Sequence, residues 1–497
     1  MTPPAADGAA GPDGATAPGA PGPRFGRTLL ERALVGSGVG AATTGSLGIL
    51  ALLVGASVPD ALLPLGAATG LVAAWRLRAP VAGAGAAGGR GPTFVVALLL
   101  AAAFVLLVHG ALATPSRQWD GAVAWDLKAN VLTAAPTLQQ PFFRDADVYC
   151  HSRDYPLLQP LLVALLERWH LPGRLLFPLA WLVGVAAVGA AARAAQSGRT
   201  ALLFALAAAV TPMWLAPSGG GFDSGYGDGP LCAALALLAF GLTNGRPAAL
   251  VAGLVLAILQ KPEGLPYAAL LVAAAWLSGD ARTLRAAAFA TAAAGTLQLA
   301  LQHDLRTSGG EHHLVRLAAT AAALVAVLLV ADATLRRRRA ARRWRWLALV
   351  PLVPLGLAAL WLANAGGDGL LGSHLTDPMR PWQRLDRLPA VASAVVGRAF
   401  GHGTFGLAFA VPVVVALVRW RRGQPQRAPV VGLWLLLAVP LWCAPFLTSP
   451  LDELDAHLRA TLPRLMLHWT GVAWAWAAAQ GLAPGDEDAL PSHAATP

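Results

Sequence analysis

The chain is poor in lysine and tyrosine. Only two of its 37 Lys and Arg residues are lysines, Lys128 and Lys261, and only four of its 497 residues are tyrosine. Because a compact ammonium is not interchangeable with a planar guanidinium, the two lysines indicate lysine-specific chemistry, although chance composition would also produce them. The six rare residues fall in three windows, 119–158, 218–231 and 259–267. We expect functional residues in these windows.

Cysteine and charge are scarce as well. The three cysteines, Cys150, Cys232 and Cys443, have no metal-binding spacing and imply no disulfide framework. Only 13% of the chain is charged, 56% is hydrophobic and the mean hydropathy is +0.56, which excludes an ordinary soluble protein. Apolar runs of spanning or near-spanning length recur along the sequence, so we predict an all-α integral membrane protein with about 12–14 transmembrane helices and short interfacial helices on its outer face.

The ends of the chain differ from its middle. Residues 1–23 are mostly Ala, Gly and Pro, and no basic region precedes an apolar one, so we predict a disordered tail and not a signal peptide. We predict N-terminal transmembrane helices over 24–92, a catalytic transmembrane region over 93–480 and a C-terminal tail over 481–497. No long soluble domain is predicted, and activity is therefore expected in the membrane region and its loops.

The net charge of +11 comes from arginines grouped in alternate connections between apolar runs. These groups are Arg76 with Arg78 and Arg90, Arg193 with Arg199, Arg282 with Arg285, the cluster 336–345, and Arg419 with Arg421, Arg422 and Arg427. Such spacing is typical of the positive-inside rule and favours contact with anionic membrane lipids. We do not expect nucleic acid as a partner.

The arginines also predict which segments lie outside. With Arg24, Arg27 and Arg32 placed inside, residues 114–155 fall outside, and counting back from the inside cluster places the other windows and 452–468 there too. The two counts agree only if the apolar run 156–167 does not cross, and at about 1.5 Å per residue it is too short to do so. Outer-face chemistry would need a donor already carried across the membrane, most simply on a lipid.

The first window contains the sequence WDGAVAWDLKA, with Asp120, Asp126 and Lys128 close to a membrane segment. A carboxylate there could deprotonate an acceptor while a cation holds a phosphate. A plain interfacial helix with a capping aspartate and a solvated lysine would give the same pattern. Tyr155-Pro156 predicts an extended turn before the next helix.

The other two windows combine glycine or proline with charge. Asp223 and Asp228 lie among glycines, where paired carboxylates suit a general base or a divalent metal, although such loops are also ordinary turns. Lys261 and Glu263 separate two apolar runs, and ionisable groups at a membrane edge are functional candidates. A salt-bridged helix end is the alternative for this pair.

Five short motifs follow one another between residues 119 and 468. They are Asp120 in WDGAVAWDLKA, Tyr155-Pro156-Leu157-Leu158, Tyr226 with Asp228, Pro230 and Leu231, Lys261 with Glu263 and Gly264, and Arg464 with His468. Their order resembles bacterial multi-pass glycosyltransferases of the GT-C class, related to the lipid A aminoarabinose transferases and the protein O-mannosyltransferases of glycosyltransferase family 39. Leu157 stands where these relatives have a second proline.

The resemblance implies a GT-C-like fold in a bacterial inner membrane with the active site on its outer face. It implies inverting transfer of a sugar from a polyprenyl-phosphate donor to an acceptor that the motifs do not identify. Asp120 is expected to be the general base and Asp228 to position substrate or acceptor. Lys128, Lys261 and Arg464 are expected to hold the phosphate.

Tyr155, Tyr226 and Glu263 complete the predicted substrate-binding residues. The expected sugar transfer requires no cofactor, although the carboxylates would accept a divalent metal. A transporter or flippase of lipid-linked saccharide is the alternative function, and inverted repeats with charges at the bilayer midplane would favour it. A non-catalytic membrane scaffold is a third interpretation, and it leaves the rare lysines and tyrosines unexplained.

Overall fold

The computed structural model describes residues 25–77, 91–113, 120–145, 147–148, 153–216, 220–306, 333, 379–449 and 451–481. Within them the chain is helical and has no β-strand, so the predicted all-α class is confirmed for this part of the molecule. The arginine cluster 336–345, the tail 1–23 and residues 482–497 of the other predicted tail lie outside the described residues.

The described helices, in chain order, are α1 (Phe25–Leu53), α2 (Leu62–Arg76), α3 (Gly91–Ala113), α4 (Leu127–Ala134), α5 (Pro141–Arg144), α6 (Leu158–Arg168), α7 (Leu176–Arg193), α8 (Gly198–Ala209), α9 (Pro212–Leu215), α10 (Asp228–Thr243), α11 (Pro247–Gln260), α12 (Gly264–Ser278), α13 (Ala281–Arg306), α14 (Arg380–Gln383), α15 (Leu388–Phe400), α16 (His402–Phe405), α17 (Ala410–Arg421), α18 (Pro429–Thr448) and α19 (Leu454–Ala479). A π-helical turn (Gly121–Asp126) precedes α4.

Five of the described helical stretches are long and apolar enough to cross a membrane by length and composition. They are Leu29–Leu53, Phe94–Ala113, Gly173–Arg193, Ala281–Arg306 and Pro429–Thr448. Five shorter apolar helices, namely α2, α8, α10, α11 and α12, have 10–17 residues. These helices support a membrane protein, whereas the total of about 12–14 crossings stays a prediction based on hydropathy.

Helix α10 lies at the centre of the described bundle and packs against α7, α11 and α19. Its Leu231, Leu235 and Phe240 side chains are fully buried. Gly253 of α11 lets the two backbones approach closely, because a Cβ there would lie 2.7 Å from the carbonyl oxygen of Ala234. Small residues at such contacts are typical of helices that pack within a membrane.

The short apolar run after the first window forms a half-helix. Leu158, the first residue of α6, packs against Gly45 of α1, whereas Arg168 at its other end pairs with Asp60, beyond the end of α1. Gly45 lies about 12 Å below the end of α1 at 1.5 Å per residue. Helix α6 therefore begins inside the bundle and ends at the same bundle end as α1, as its length predicts.

We call the end of the bundle at which α1 ends the site end. Gln159 of α6 donates to the carbonyl oxygen of Gly225 at 2.9 Å and accepts from Gln260, the last residue of α11, also at 2.9 Å. The second and third windows therefore lie inside the bundle, in the half nearer the site end. The opposite end is marked by the Arg246–Glu31 ion pair and by a hydrogen bond from Asn244 to Ala190.

The side of the membrane that the site end faces is testable by thiol labelling. In the segments predicted to lie outside, Cys150 and Ser218 fall beyond the described residues, and the nearby Ser449 is 1% exposed and so poorly accessible to a reagent. Cysteines at Ser57 and Leu451, which are exposed at the site end, are expected to react with an impermeant thiol reagent added to intact cells. A cysteine at Ser197, which lies between α7 and α8, is expected to react only after lysis, and the reverse pattern would contradict the predicted orientation.

Candidate active site

A glycine-containing loop, residues 220–227, precedes Asp228, which is the first residue of α10. Gly220 has a φ of +86°, and a Cβ there would lie 3.1 Å from a carboxylate oxygen of Asp228. A Cβ at Gly227 would lie 3.0 Å from the ring of Trp125. Glycine therefore allows this loop to wrap closely around the aspartate and the first window.

Asp228 is fully buried, forms ion pairs with Lys261 and Arg464, and is hydrogen-bonded to His468. Its Oδ1 lies 2.7 Å from Nζ of Lys261 and 2.6 Å from Nε2 of His468. Its Oδ2 accepts from Nε of Arg464 at 3.1 Å and lies 3.0 Å from Nη2 of the same guanidinium. A buried carboxylate is stabilised only by such pairing, and Asp228 therefore acts first as the charge that holds these cationic groups in place.

Arg464 extends the network to Asp120. Its Nη1 donates to Oδ2 of Asp120 at 3.1 Å, and its side chain is 24% exposed while that of Asp120 is 35% exposed. The guanidinium carbon lies 4.4 Å from the ring centroid of Tyr226, in a cation–π contact. The Asp120–Arg464 pair is the accessible end of the network, whereas Asp228 lies at its buried end.

Lys261 and Glu263 occupy the turn between α11 and α12. Gly264 is required there, because a Cβ would lie 1.9 Å from the carbonyl oxygen of Ala257. Oε1 of Glu263 lies 3.4 Å from Nζ of Lys261, and its Oε2 is buried with no hydrogen-bond partner among the described residues. Burial is the largest single effect on the pKa of Glu263 and would raise it, but the Lys261 ammonium, His468 and a backbone hydrogen bond together lower the pKa below its usual range.

Lys128, which is buried, and Tyr155, which is partly buried, lie beside the site. Lys128 is 0% exposed and its ammonium lies 5.8 Å from the ring centroid of Tyr155, which packs against Trp125 at 5.6 Å. Burial, with a further contribution from the charge of Glu263, raises the pKa of Tyr155. The predicted contacts of Lys128 with phosphate and of Asp228 with substrate would both require the structure to open, because neither side chain reaches the surface.

The Tyr226 phenol is a hydrogen-bond donor and not a base at physiological pH. Burial, and then the charge of Asp120, raises its pKa above the usual value. Among the predicted catalytic residues, Asp120 is thus the one that both reaches the accessible side and can accept a proton. Its role as general base stays a prediction that this geometry allows.

Four of the predicted residues, namely Asp120, Asp228, Lys261 and Arg464, meet in one network although they come from four distant segments of the chain. Two further members, His468 and Tyr267, were not among the predicted site residues. The i, i+4 spacing of Arg464 and His468 places both on one face of α19, which is a signal that the sequence contains. Tyr267 is one of the four rare tyrosines and closes the third window.

We expect Lys261→Met to lose more activity than Lys261→Arg. The ammonium fits between Asp228 and Glu263 at 3% exposure, so the larger guanidinium keeps the charge but not the fit, whereas methionine leaves a buried carboxylate with one fewer counter-ion. Transfer rates and protein levels of the two variants test this. Full activity of Lys261→Met at normal protein levels would show that the rarity of lysine is not functional.

Within the part of the chain that the structure describes, no group of three or more His, Cys, Asp and Glu residues could hold a metal ion. Comparison with protein-family models, with curated proteins and with solved structures finds no match to this chain. The geometry of the site and the sequence motifs are therefore the basis for a proposed function.

Proposed function

We propose that this chain is a membrane glycosyltransferase that moves a sugar from a polyprenyl-phosphate donor to an acceptor hydroxyl on the outer side of the membrane. One observation carries the proposal. Four segments that are far apart in the sequence contribute Asp120, Asp228, Lys261 and Arg464 to one ion-pair network, whose accessible end joins a carboxylate to a guanidinium. That pair offers a proton acceptor beside an anion-binding cation.

The two groups suit the two halves of a glycosyl displacement. The acceptor oxygen attacks the anomeric carbon, Asp120 takes the hydroxyl proton, and the bond from the anomeric carbon to the phosphate oxygen breaks with its electron pair leaving on the phosphate. Arg464 stabilises the negative charge that develops on that phosphate. Attack from the side opposite the phosphate inverts the anomeric configuration.

Arg464 takes part in both halves of the displacement, because it contacts Asp120 and would also bind the donor phosphate. Its contact with Asp228 is buried and persists, whereas its contact with Asp120 lies at the accessible side, where an ion pair contributes little to stability. A donor phosphate that binds the guanidinium from that side replaces Asp120. The freed carboxylate can then accept the proton of the incoming hydroxyl.

Lipid analysis of a deletion strain tests the proposal. We expect mass spectrometry to find an accumulated polyprenyl-phosphate sugar and the loss of one sugar from a surface glycan or other envelope acceptor. The wild-type gene should reverse both changes, and the Asp120→Asn gene should not.

Two outcomes would contradict the proposal. Unchanged lipid-linked sugars and unchanged envelope glycans in the deletion strain would show that the protein is not this transferase. A donor lipid that accumulates on the inner face only, with no transfer by the purified protein, would favour the alternative flippase.

A further inference from the structure

A buried hydrogen-bond chain continues from Asp228 away from the accessible pair. Oδ1 of Asp228 lies 2.6 Å from Nε2 of His468, and Nδ1 of the same ring lies 2.8 Å from the hydroxyl of Tyr267. His468 is 0% exposed and Tyr267 is 1% exposed. The chain joins α10, α19 and α12, and neither ring reaches the side from which a donor would enter.

Surrounding aromatic residues fix the position of Tyr267. Its ring packs edge-on against Trp469, with centroids 5.0 Å apart, and Trp469 packs in the same way against Trp434 at 4.8 Å. The indole nitrogen of Trp434 donates to the backbone carbonyl oxygen of Tyr267 at 2.9 Å. The hydroxyl of Tyr267 is therefore held at one place and aimed at one ring nitrogen.

We propose that Tyr267 and His468 are positioning residues for the transfer reaction, an inference that rests on the proposed function. An ionised Asp228 can only accept hydrogen bonds, so Nε2 of His468 carries the proton and donates it. Because Asp228 already has two cationic partners, the fully buried His468 ring is neutral. Its Nδ1 is therefore an acceptor, and the Tyr267 hydroxyl donates to it. Tyr267 thereby holds the ring in the orientation that presents Nε2–H to Asp228, whereas without this bond the ring can turn over and donate through Nδ1–H instead. Second-layer hydrogen bonds orient catalytic and metal-bound histidines in the same way.

The consequence reaches Arg464 through Asp228. His468 and Lys261 both occupy Oδ1, which leaves Oδ2 to hold Nε and Nη2 of Arg464. If the ring flips or the tautomer changes, the carboxylate can rotate and the guanidinium loses its fixed orientation. Phosphate stabilisation in the transition state would then weaken, although neither Tyr267 nor His468 contacts the phosphate.

Two measurements on purified protein test this. Tyr267→Phe keeps the ring packing, and we expect it to lower kcat/KM for the polyprenyl-phosphate donor about 10–100-fold, the usual size of such indirect effects. In ¹⁵N spectra, the His468 signal, assigned by its loss in His468→Gln, should show the Nε2–H tautomer in wild type and a tautomer mixture in Tyr267→Phe. His468→Gln, which keeps a donor for Asp228, should retain more activity than His468→Phe.

Thr470→Val is the matched control. It removes another buried hydrogen bond of α19, the one that Thr470 accepts from Trp214 at 2.7 Å, and should lower thermal stability while leaving kcat/KM within about twofold, as expected of a residue outside the site. Wild-type kcat/KM and an unchanged His468 tautomer in Tyr267→Phe would overturn the positioning role. The spectra need no donor, so a tautomer shift in a protein that transfers no sugar would reject the proposed function and keep the hydrogen-bond assignment.

Discussion

Asp120→Asn is expected to lower the rate of sugar transfer by about 10²–10⁴-fold, the usual cost of losing a positioned general base. Asparagine has nearly the same shape and can still accept a hydrogen bond from Arg464, but it cannot take the proton of the acceptor hydroxyl. Asp120 is partly exposed, so the protein is expected to fold and insert normally. Single-turnover transfer by the purified variant, with donor binding measured separately, provides the test.

Asp126 supplies the control for this variant. It lies in the same window, at the end of the π-helical turn that begins after Asp120, whereas Arg464 pairs with the carboxylates of Asp120 and Asp228. Asp126→Asn should therefore have the milder effect. Equal losses in the two variants would indicate that both aspartates are needed for the structure of this segment and that neither is a specific proton acceptor. Transfer by Asp120→Asn at the wild-type rate would show that Asp120 is not the general base.

Asp228→Asn is expected to destabilise the protein strongly. Breaking a buried ion pair by removing one partner typically costs about 3–5 kcal/mol, because the remaining charge stays buried without compensation. Here the loss affects Lys261, Arg464 and His468 together. We expect a lower melting temperature and low protein levels, and also lost transfer in whatever folded protein is recovered.

An exposed pair at the same bundle end gives the comparison for Asp228. Asp452 pairs with Arg384 at 2.8 Å, but its side chain is 90% exposed, so Asp452→Asn should barely change the melting temperature. A melting temperature of Asp228→Asn equal to that of Asp452→Asn would contradict the central place of Asp228 in the network.

The helical class and the position of α6 were predictable because the bilayer restricts spanning backbone to hydrogen-bonded helices of sufficient length. Helix α6 has eleven residues and is too short to cross the membrane, and in the structure it ends at the site end, where Arg168 pairs with Asp60. Helix length does not predict the number of membrane crossings in the same way. Several helices of the packed bundle, such as α11 with 14 residues, are shorter than an isolated span, so length alone does not decide their path.

The meeting of the windows was predictable in outline from the rare residues and from the order of the motifs. Asp120 and Arg464 lie 344 positions apart in the chain, yet they form an ion pair. The burial of Lys128 and Asp228 was not predictable, since it depends on how distant helices pack around them. A charged residue in a loop window has the same sequence pattern whether its side chain faces a substrate or an internal partner.

The most direct test of the account is donor turnover by the purified protein. Polyprenyl-phosphate sugars extracted from the deletion strain would be incubated with wild type and with Asp120→Asn in the presence of envelope acceptors, and release of polyprenyl phosphate would be followed by mass spectrometry. We predict release by wild type, coupled to transfer with inverted anomeric configuration, and a fall of at least about 10²-fold in Asp120→Asn. No release by a folded wild-type protein, or equal release by both proteins, would contradict the assignment of transfer to the Asp120–Arg464 pair.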